Sequence, residues 1–195
     1  MKIQMNEELL EPMLRRARLG KALPVIRRYP QCRLLDFGCG WEARLLKDVE
    51  PYISRGVGID RRAPAVESDK LTTLRVDLEA TLPFEPDTFD VITMLAVLEH
   101  LNDPLRVLAE IRRVLSPRGT LILTVPSHAA KPVLEFLAYR LHLVSHAEIA
   151  DHKRYYGRRD LDALSAQAGF RMRAHRYFQL GFNNFATLEP SPSAI

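Results

Sequence analysis

A chain of 195 residues with 47% hydrophobic and 27% charged residues has the composition of a water-soluble globular protein with enough length to bury a full core. Its net charge of +4 permits an anionic partner without demanding one, and no apolar run approaches the roughly 20 residues a membrane helix needs. The two cysteines, Cys32 and Cys39, are too few for a disulfide scaffold, and the start Met1–Glu7 lacks the apolar stretch of a secretory leader, so reduced thiols and a cytoplasmic location are expected.

Residues 6–29 carry helical spacing in Leu9, Leu10, Met13, Ala17, Leu19, Ala22, Leu23 and Ile26. Gly20 and Pro24 predict a division into two short helices. Arg15, Arg16, Arg27 and Arg28 make the segment basic: a packing helix with a solvated face, or a cap over a binding site.

Arg33–Phe37 then reads as a short buried strand that carries an acid, Asp36, near its end and runs into Gly38-Cys39-Gly40. A helix is predicted from Glu42 to Val49, ended by Pro51. Gly38, Gly40 and Ala43 satisfy the loose dinucleotide pattern, but Asp36 opposes it. A carboxylate there repels a pyrophosphate and welcomes an ammonium group. The ligand expected at this turn is an adenosine-bearing cation without phosphate.

Arg55–Asp60 is a second buried strand, and Asp60 lies about 20 residues beyond Gly40, the offset at which an acid grips ribose hydroxyls; a helix N-cap is the competing role. Residues 61–70 are polar and interrupted by Pro64. Leu71–Val76 is a third strand, followed by Asp77 and Leu78, an acid and a backbone amide suited to an adenine edge or to a surface turn. Leu82–Thr88 is loop. Phe89–Leu95 is the fourth strand and leads through Ala96–Asn102 to a helix opened by Asp103-Pro104, with Leu105, Val107, Leu108, Ile111, Val114 and Leu115 on one face. Ser116–Gly119 stops it, and Thr120–Val125 is the fifth strand, closed by Pro126.

Lys131–Val144 is predicted helical, and Asp151–Arg159 is dense in polar and aromatic residues. Asp160 is expected to cap a further helix stopped by Gly169. Phe170–Phe178 and Leu180–Thr187 read as an antiparallel pair around Gly181, and residues 189–195 as a flexible tail. Alternating strands and helices predict an α/β fold with a mostly parallel sheet, whose ligands bind outside the strands' carboxyl ends. Asp36, Asp60, Asp77 and the loop after Leu95 all fall on that edge.

Of the six histidines, His100 is the first candidate for a general base, with a structural cap as the alternative. Glu99 is expected to orient that loop rather than to titrate. His128, and His152 with Tyr155, rank second as acceptor contacts; His142 and His146 look like helix-surface residues. No metal constellation and no nucleic-acid module are evident, so nucleic acid is an unlikely partner. The basic run His152–Arg159 could contact an anionic acceptor, with its tyrosines stacking on it, or be a solvated loop.

These residues resemble a known family. Leu35–Gly40, Gly58–Asp60, Phe89–Ile92, Leu98–Leu101 and the stretch Glu110–Gly119, in this order, are similar to the class I S-adenosylmethionine-dependent methyltransferases, in particular the small type 11 group. Asp151–Tyr156, Leu161 and Ala168–Phe170 match its C-terminal part. The resemblance implies a Rossmann-like sheet of seven strands, the last antiparallel, with helices on both faces. It implies that one domain spans residues 1–188, with the helical cap at about 1–29, and that S-adenosyl-L-methionine is the cofactor. By position, Asp36, Gly38, Cys39 and Gly40 would hold its methionyl part, Asp60 its ribose, and Asp77 with Leu78 would lie by the adenine. Met94 and Leu95 would line the floor under the sulfonium.

Two residues depart from the pattern. Glu42 replaces a third glycine, bringing a carboxylate either near the cofactor's own or out to solvent at the helix start. Arg61 follows the ribose acid in place of an apolar residue and would cover adenine by stacking. The function expected is methyl transfer to oxygen or nitrogen of a small molecule. The alternative is a non-catalytic relative that binds cofactor weakly or a protein partner.

Overall fold

In the computed structural model, which describes residues 4–132 and 153–192, seven strands form one sheet in the order β3-β2-β1-β4-β5-β7-β6. The strands are β1 Cys32–Phe37, β2 Ile53–Asp60, β3 Leu71–Arg75, β4 Phe89–Leu95, β5 Leu115–Pro126, β6 Phe170–Phe178 and β7 Asn183–Pro190. The pairs β1–β2, β1–β4, β2–β3 and β4–β5 are parallel. Only β7 runs against its neighbours, because the chain folds back after β6 and inserts between β6 and β5. The expected α/β architecture is therefore present. Strand order reverses at β1, with β2 on one side and β4 on the other, which opens a crevice at their carboxyl ends.

The helices are α1 Gln4–Ile26, α2 Arg44–Val49, α3 Pro104–Val114 and α4 Arg158–Gln167. The sheet's alternation divides the core in two. Leu35, Phe37, Ile92, Met94, Leu121 and Leu123 face one way and pack with Leu108 and Ile111 of α3 and Leu161 of α4. Leu34, Val91 and Ile122 face the other way and pack with Ala22 and Ile26 of α1 and Leu46 of α2.

Several boundaries differ from expectation. Residues 4–26 form one helix, not two. Gly20 costs only backbone freedom, and Pro24 lies in the last turn, where it removes a single hydrogen bond. Helix α2 starts at Arg44 rather than Glu42, because Ala43 turns into the left-handed region at φ 48°. Pro51 sits within a short 3-10 turn, Glu50–Tyr52. Strand β5 begins at Leu115, so Ser116–Gly119 belongs to it; a Cβ at Gly119 would meet the Asp90 carbonyl at 2.8 Å. The turn before β7 takes Gln179, Leu180 and Gly181, all at positive φ, and β7 extends to Pro190, so residues 189–190 of the expected tail are strand. Gly157, not Asp160, is the N-cap of α4; the Asp160 carboxylate accepts the Gly157 N–H at 2.7 Å. Of the Lys131–Val144 expectation only residues 131–132 are described, as helix; Asp151, His142, His146 and His152 lie outside the described residues.

Candidate active site

At the crevice, Asp36 and Thr93 are register partners on β1 and β4. Side chains of this parity point to the α1–α2 face, so a carboxyl enters an otherwise apolar layer. The Thr93 hydroxyl donates to Asp36 Oδ1 at 2.8 Å, within a fully buried pair. Burial pushes the Asp36 carboxyl up to about 7; the Thr93 hydrogen bond opposes this and the charge of Asp60 adds to it. Such a group sits near half-ionised at neutral pH, and a cation beside it favours the ionised form.

The glycine turn is tied to β2. Gly38 and Cys39 donate their N–H groups to the Ile59 carbonyl at 2.8 and 3.1 Å. Gly38 has φ +84°, and a Cβ there would meet Val97 Cγ2 at 2.3 Å. Gly40 is different: at φ +67° a Cβ would meet nothing within 4 Å, so this stretch of bare backbone borders open space. The Cys39 thiol points inward onto Gly58, where a Cβ would lie 3.0 Å from the sulfur, and burial pushes the thiol up to about 12. Gly58 is thus a seat for the turn.

Asp60 joins the two loops. Its Oδ2 accepts the Gly40 N–H at 3.1 Å and its Oδ1 the Arg62 N–H at 2.8 Å. The second bond closes a turn, and no helix follows, so the N-cap role is overturned. Each carboxylate oxygen keeps acceptor capacity for a hydroxyl. Arg61 and Asp77 pair with each other: Arg61 Nη2 donates to Asp77 Oδ1 at 2.8 Å, and both are exposed. The Arg61 guanidinium, then the Glu79 N–H, hold the Asp77 carboxyl below the usual range. The Glu42 carboxylate is partly exposed and is engaged by the Arg44 guanidinium.

Leu95 is half-buried on the same sheet face as Asp36. Met94 is fully buried in the opposite face, with α3 and α4, so only its backbone lies at the edge. Leu78 packs partly against that same layer. The 3-10 turn Leu98–His100 follows β4, and the His100 N–H donates to the Val97 carbonyl at 3.0 Å. Its neighbour Glu99 departs from the sequence reading. The side chain is buried, Oε2 has no hydrogen-bond partner, and burial pushes the carboxyl up to about 7 against the pull of its own N–H, His100 and Arg18. Glu99 titrates near neutrality, which its surface-like setting in the sequence did not betray. Thr124 Oγ1 on β5 is a second buried polar atom without a partner. Orphaned polar atoms, an open glycine backbone and a buried acid at one edge fit a polar, cationic ligand.

Around the end of β5, Ser127 Oγ donates to the Gly181 carbonyl at 2.7 Å, and His128 Nε2 lies 2.6 Å from Asp160 Oδ2. In the basic run, Tyr156 is buried in the α3–α4 layer and takes no part in a surface, while Lys153, Arg154, Arg158 and Arg159 are exposed. Among the described residues no group of His, Cys, Asp and Glu could hold a metal, and no helix is long and apolar enough to cross a membrane. Both cysteines are free.

A family model described as a methyltransferase domain matches residues 2–175. The chain belongs to this methyltransferase-domain family. A 102-residue stretch is 38% identical to a protein of transposon Tn4556 of Streptomyces fradiae, covering 47% of this chain and 29% of that one. Ubiquinone biosynthesis O-methyltransferase of Vibrio cholerae is 30% identical over 111 residues, 52% of this chain and 45% of the relative. The chain thus spans less than half the length of the curated relatives it matches. Among solved structures, the 1,6-didemethyltoxoflavin-N1-methyltransferase of Burkholderia thailandensis, with its substrate and S-adenosylhomocysteine bound, superposes with a TM-score of 0.69 at 14% identity, covering 90% of this chain and 79% of that one. The methyltransferase fold expected from the sequence is confirmed by this likeness.

Proposed function

We propose that this methyltransferase-domain protein binds S-adenosyl-L-methionine at the β1–β2–β4 edge and transfers its methyl group to oxygen or nitrogen of a small molecule. The observation that carries the reading is Asp36, a fully buried carboxyl raised to about 7 beside the open backbone of Gly40. An isolated buried acid is costly, and a bound ammonium or sulfonium relieves that cost.

On this reading Asp36 and the Gly38–Gly40 turn hold the methionyl part, and Asp60 receives the ribose hydroxyls. Arg61, Asp77 and Leu78 flank the adenine, and Leu95 with the Met94 backbone forms the floor. When bound, the cofactor supplies a methyl group already activated by the positive sulfur. The protein's own work is alignment, exclusion of water and removal of the acceptor's proton. His100 and His128 are the two described histidines that follow strands on this edge. Two of the proteins named above are, by name, an O-methyltransferase of ubiquinone biosynthesis and the N1-methyltransferase of 1,6-didemethyltoxoflavin, which supports oxygen or nitrogen of a small molecule as the acceptor.

Calorimetric titration with S-adenosylmethionine tests the reading. Micromolar binding is expected in the wild type, weakened by about 1–3 kcal/mol in Asp60→Ala, the scale of lost charge-assisted hydrogen bonds. Absence of binding would exclude the function, and an unchanged Asp60→Ala affinity would remove Asp60 from the site.

A further inference from the structure

The end of β5 carries an arrangement that cofactor binding does not use. Strand β5 pairs with β4, so Ser127 and His128 emerge on the same carboxyl edge as the glycine turn. Their backbone is clamped to the β6–β7 turn: Ser127 N–H donates to the Phe182 carbonyl at 2.9 Å and Ser127 Oγ to the Gly181 carbonyl at 2.7 Å. The imidazole is fixed from the other side by the start of α4. A Cβ built on Gly157 would lie 3.2 Å from His128 Cδ2, so this backbone packs against the ring. Asp160 Oδ2 is 2.6 Å from His128 Nε2 and also accepts the Gly157 N–H at 2.7 Å.

The tautomer follows from the partner. Asp160 is held ionised, below the usual carboxylate range, by the Gly157 N–H and then by His128. A carboxylate only accepts, so Nε2 carries the hydrogen and the neutral ring presents a bare Nδ1. Exposed ion pairs of this kind add little to stability, which leaves ring orientation as the pair's main effect. Arg158 and Arg159 stand at the same helix start, and the backbone N–H of Lys131 donates to the His128 carbonyl at 3.3 Å.

Two large side chains stand exposed on the segments that hold this pair. Leu180, one residue before Gly181, is 95% exposed, and Tyr177 is exposed with its hydroxyl accepting the Arg158 N–H at 3.4 Å. Both are anchored through residues adjacent to the pair.

We propose that His128, oriented by Asp160, is the general base of this methyltransferase, and that its acceptor is a flat apolar molecule with an acidic O–H or N–H, a phenol, enol or heteroaromatic N–H. This rests on the methyl-transfer reading above. The proton passes to Nδ1 while the acceptor oxygen or nitrogen keeps the electron pair with which it attacks the methyl carbon; the C–S electrons return to sulfur. The imidazolium is stabilised by Asp160, a positioning residue, and releases its proton to water after product leaves. An imidazole takes a proton more readily from an acceptor of phenolic acidity than from an aliphatic alcohol.

The test uses the full chain and tritiated S-adenosylmethionine against a panel of simple phenols and N–H heterocycles, with cofactor affinity measured by calorimetry in parallel. Methylation of a panel member is expected, and His128→Gln should lower kcat by about a hundredfold or more while cofactor affinity stays within about twofold. Asp160→Asn should lower kcat less, move the acid limb of the pH–rate profile to lower pH, and abolish the Nε2–H preference seen in long-range ¹H–¹⁵N spectra of His128. Full activity of His128→Gln overturns the assignment, as does wild-type protein that binds cofactor but modifies no panel member. A wild type that binds no cofactor overturns the methyl-transfer reading and the base with it.

Discussion

The two halves of the carboxyl edge are built differently. On the β1–β2 side the groups are buried or half-buried and tied to one another: two amides of the glycine turn on Ile59, Gly40 on Asp60, Asp36 under Thr93. On the β5–β7 side they are exposed side chains held in pairs: His128 on Asp160, Tyr177 on Arg158, Leu180 on a turn of three positive-φ residues. The first side can hold one ligand of fixed charge. On the proposed reading the second is the face that meets the acceptor, built on side chains outside the sheet.

The largest effect that separates the halves is expected at Gly38. Alanine there meets Val97 Cγ2 at 2.3 Å and takes a left-handed φ. The strain of about 1–2 kcal/mol adds to an overpacking cost of about 1–3 kcal/mol. Gly38→Ala should therefore lower the melting temperature by several degrees and abolish cofactor binding. A variant with unchanged stability would show that the turn is not locked.

Next in size is Asp36→Asn. It removes the charge but keeps an acceptor for Thr93, so cofactor affinity should fall by about 1.5–3 kcal/mol, the scale of a lost hydrogen bond to a charged group. Stability above pH 7 should hold or rise, because the native protein pays there for a buried carboxylate. Loss of stability with retained affinity would make Asp36 a purely structural residue.

A related effect is expected with pH. Asp36 and Glu99 both titrate near 7 when folded and near the ordinary carboxyl range when unfolded. Between about pH 4.5 and 7 the folded state holds the protons that the unfolded state has lost, so stability falls as pH rises, by on the order of 1.4 kcal/mol per unit for each group. The ligand-free melting temperature should drop from pH 5 to 7.5. Cofactor affinity should rise over the same window, as Asp36 no longer has to lose a proton to meet the cation. A flat melting profile would deny the buried acids their raised values.

The contrast between the halves also explains what the sequence could disclose. Asp36, Gly38, Gly40 and Asp60 announce themselves because strand ends and glycine turns follow a local spacing, and strand alternation with helices carries the mostly parallel sheet. Glu99 and the His128–Asp160 pair were hidden for another reason. Burial of Glu99 is set by packing of distant segments, and the pair joins residues 32 positions apart. Asp160 has the look of a helix cap, and only the placement of Gly157 shows that its second role faces β5. The single helix α1 was misread because Pro24 lies close enough to its end to be tolerated.

The smallest effect is expected from Arg61→Ala, and it bears on where the locked half ends. On the proposed reading Arg61 and Asp77 flank the adenine, yet they pair in solvent, as the exposed side-chain contacts of the other half do. Screened by water, such a pair contributes little to stability, so the melting temperature should not move measurably. If the arginine stem merely covers one face of the adenine, its loss removes some contact area and leaves the bonds made by Asp36 and Asp60 intact. Affinity by calorimetry should then weaken severalfold at most. A loss beyond about tenfold, equivalent to about 1.4 kcal/mol, would mean that the cofactor's adenine end is held by mobile side chains, and the boundary between the two halves would run through the cofactor rather than beside it.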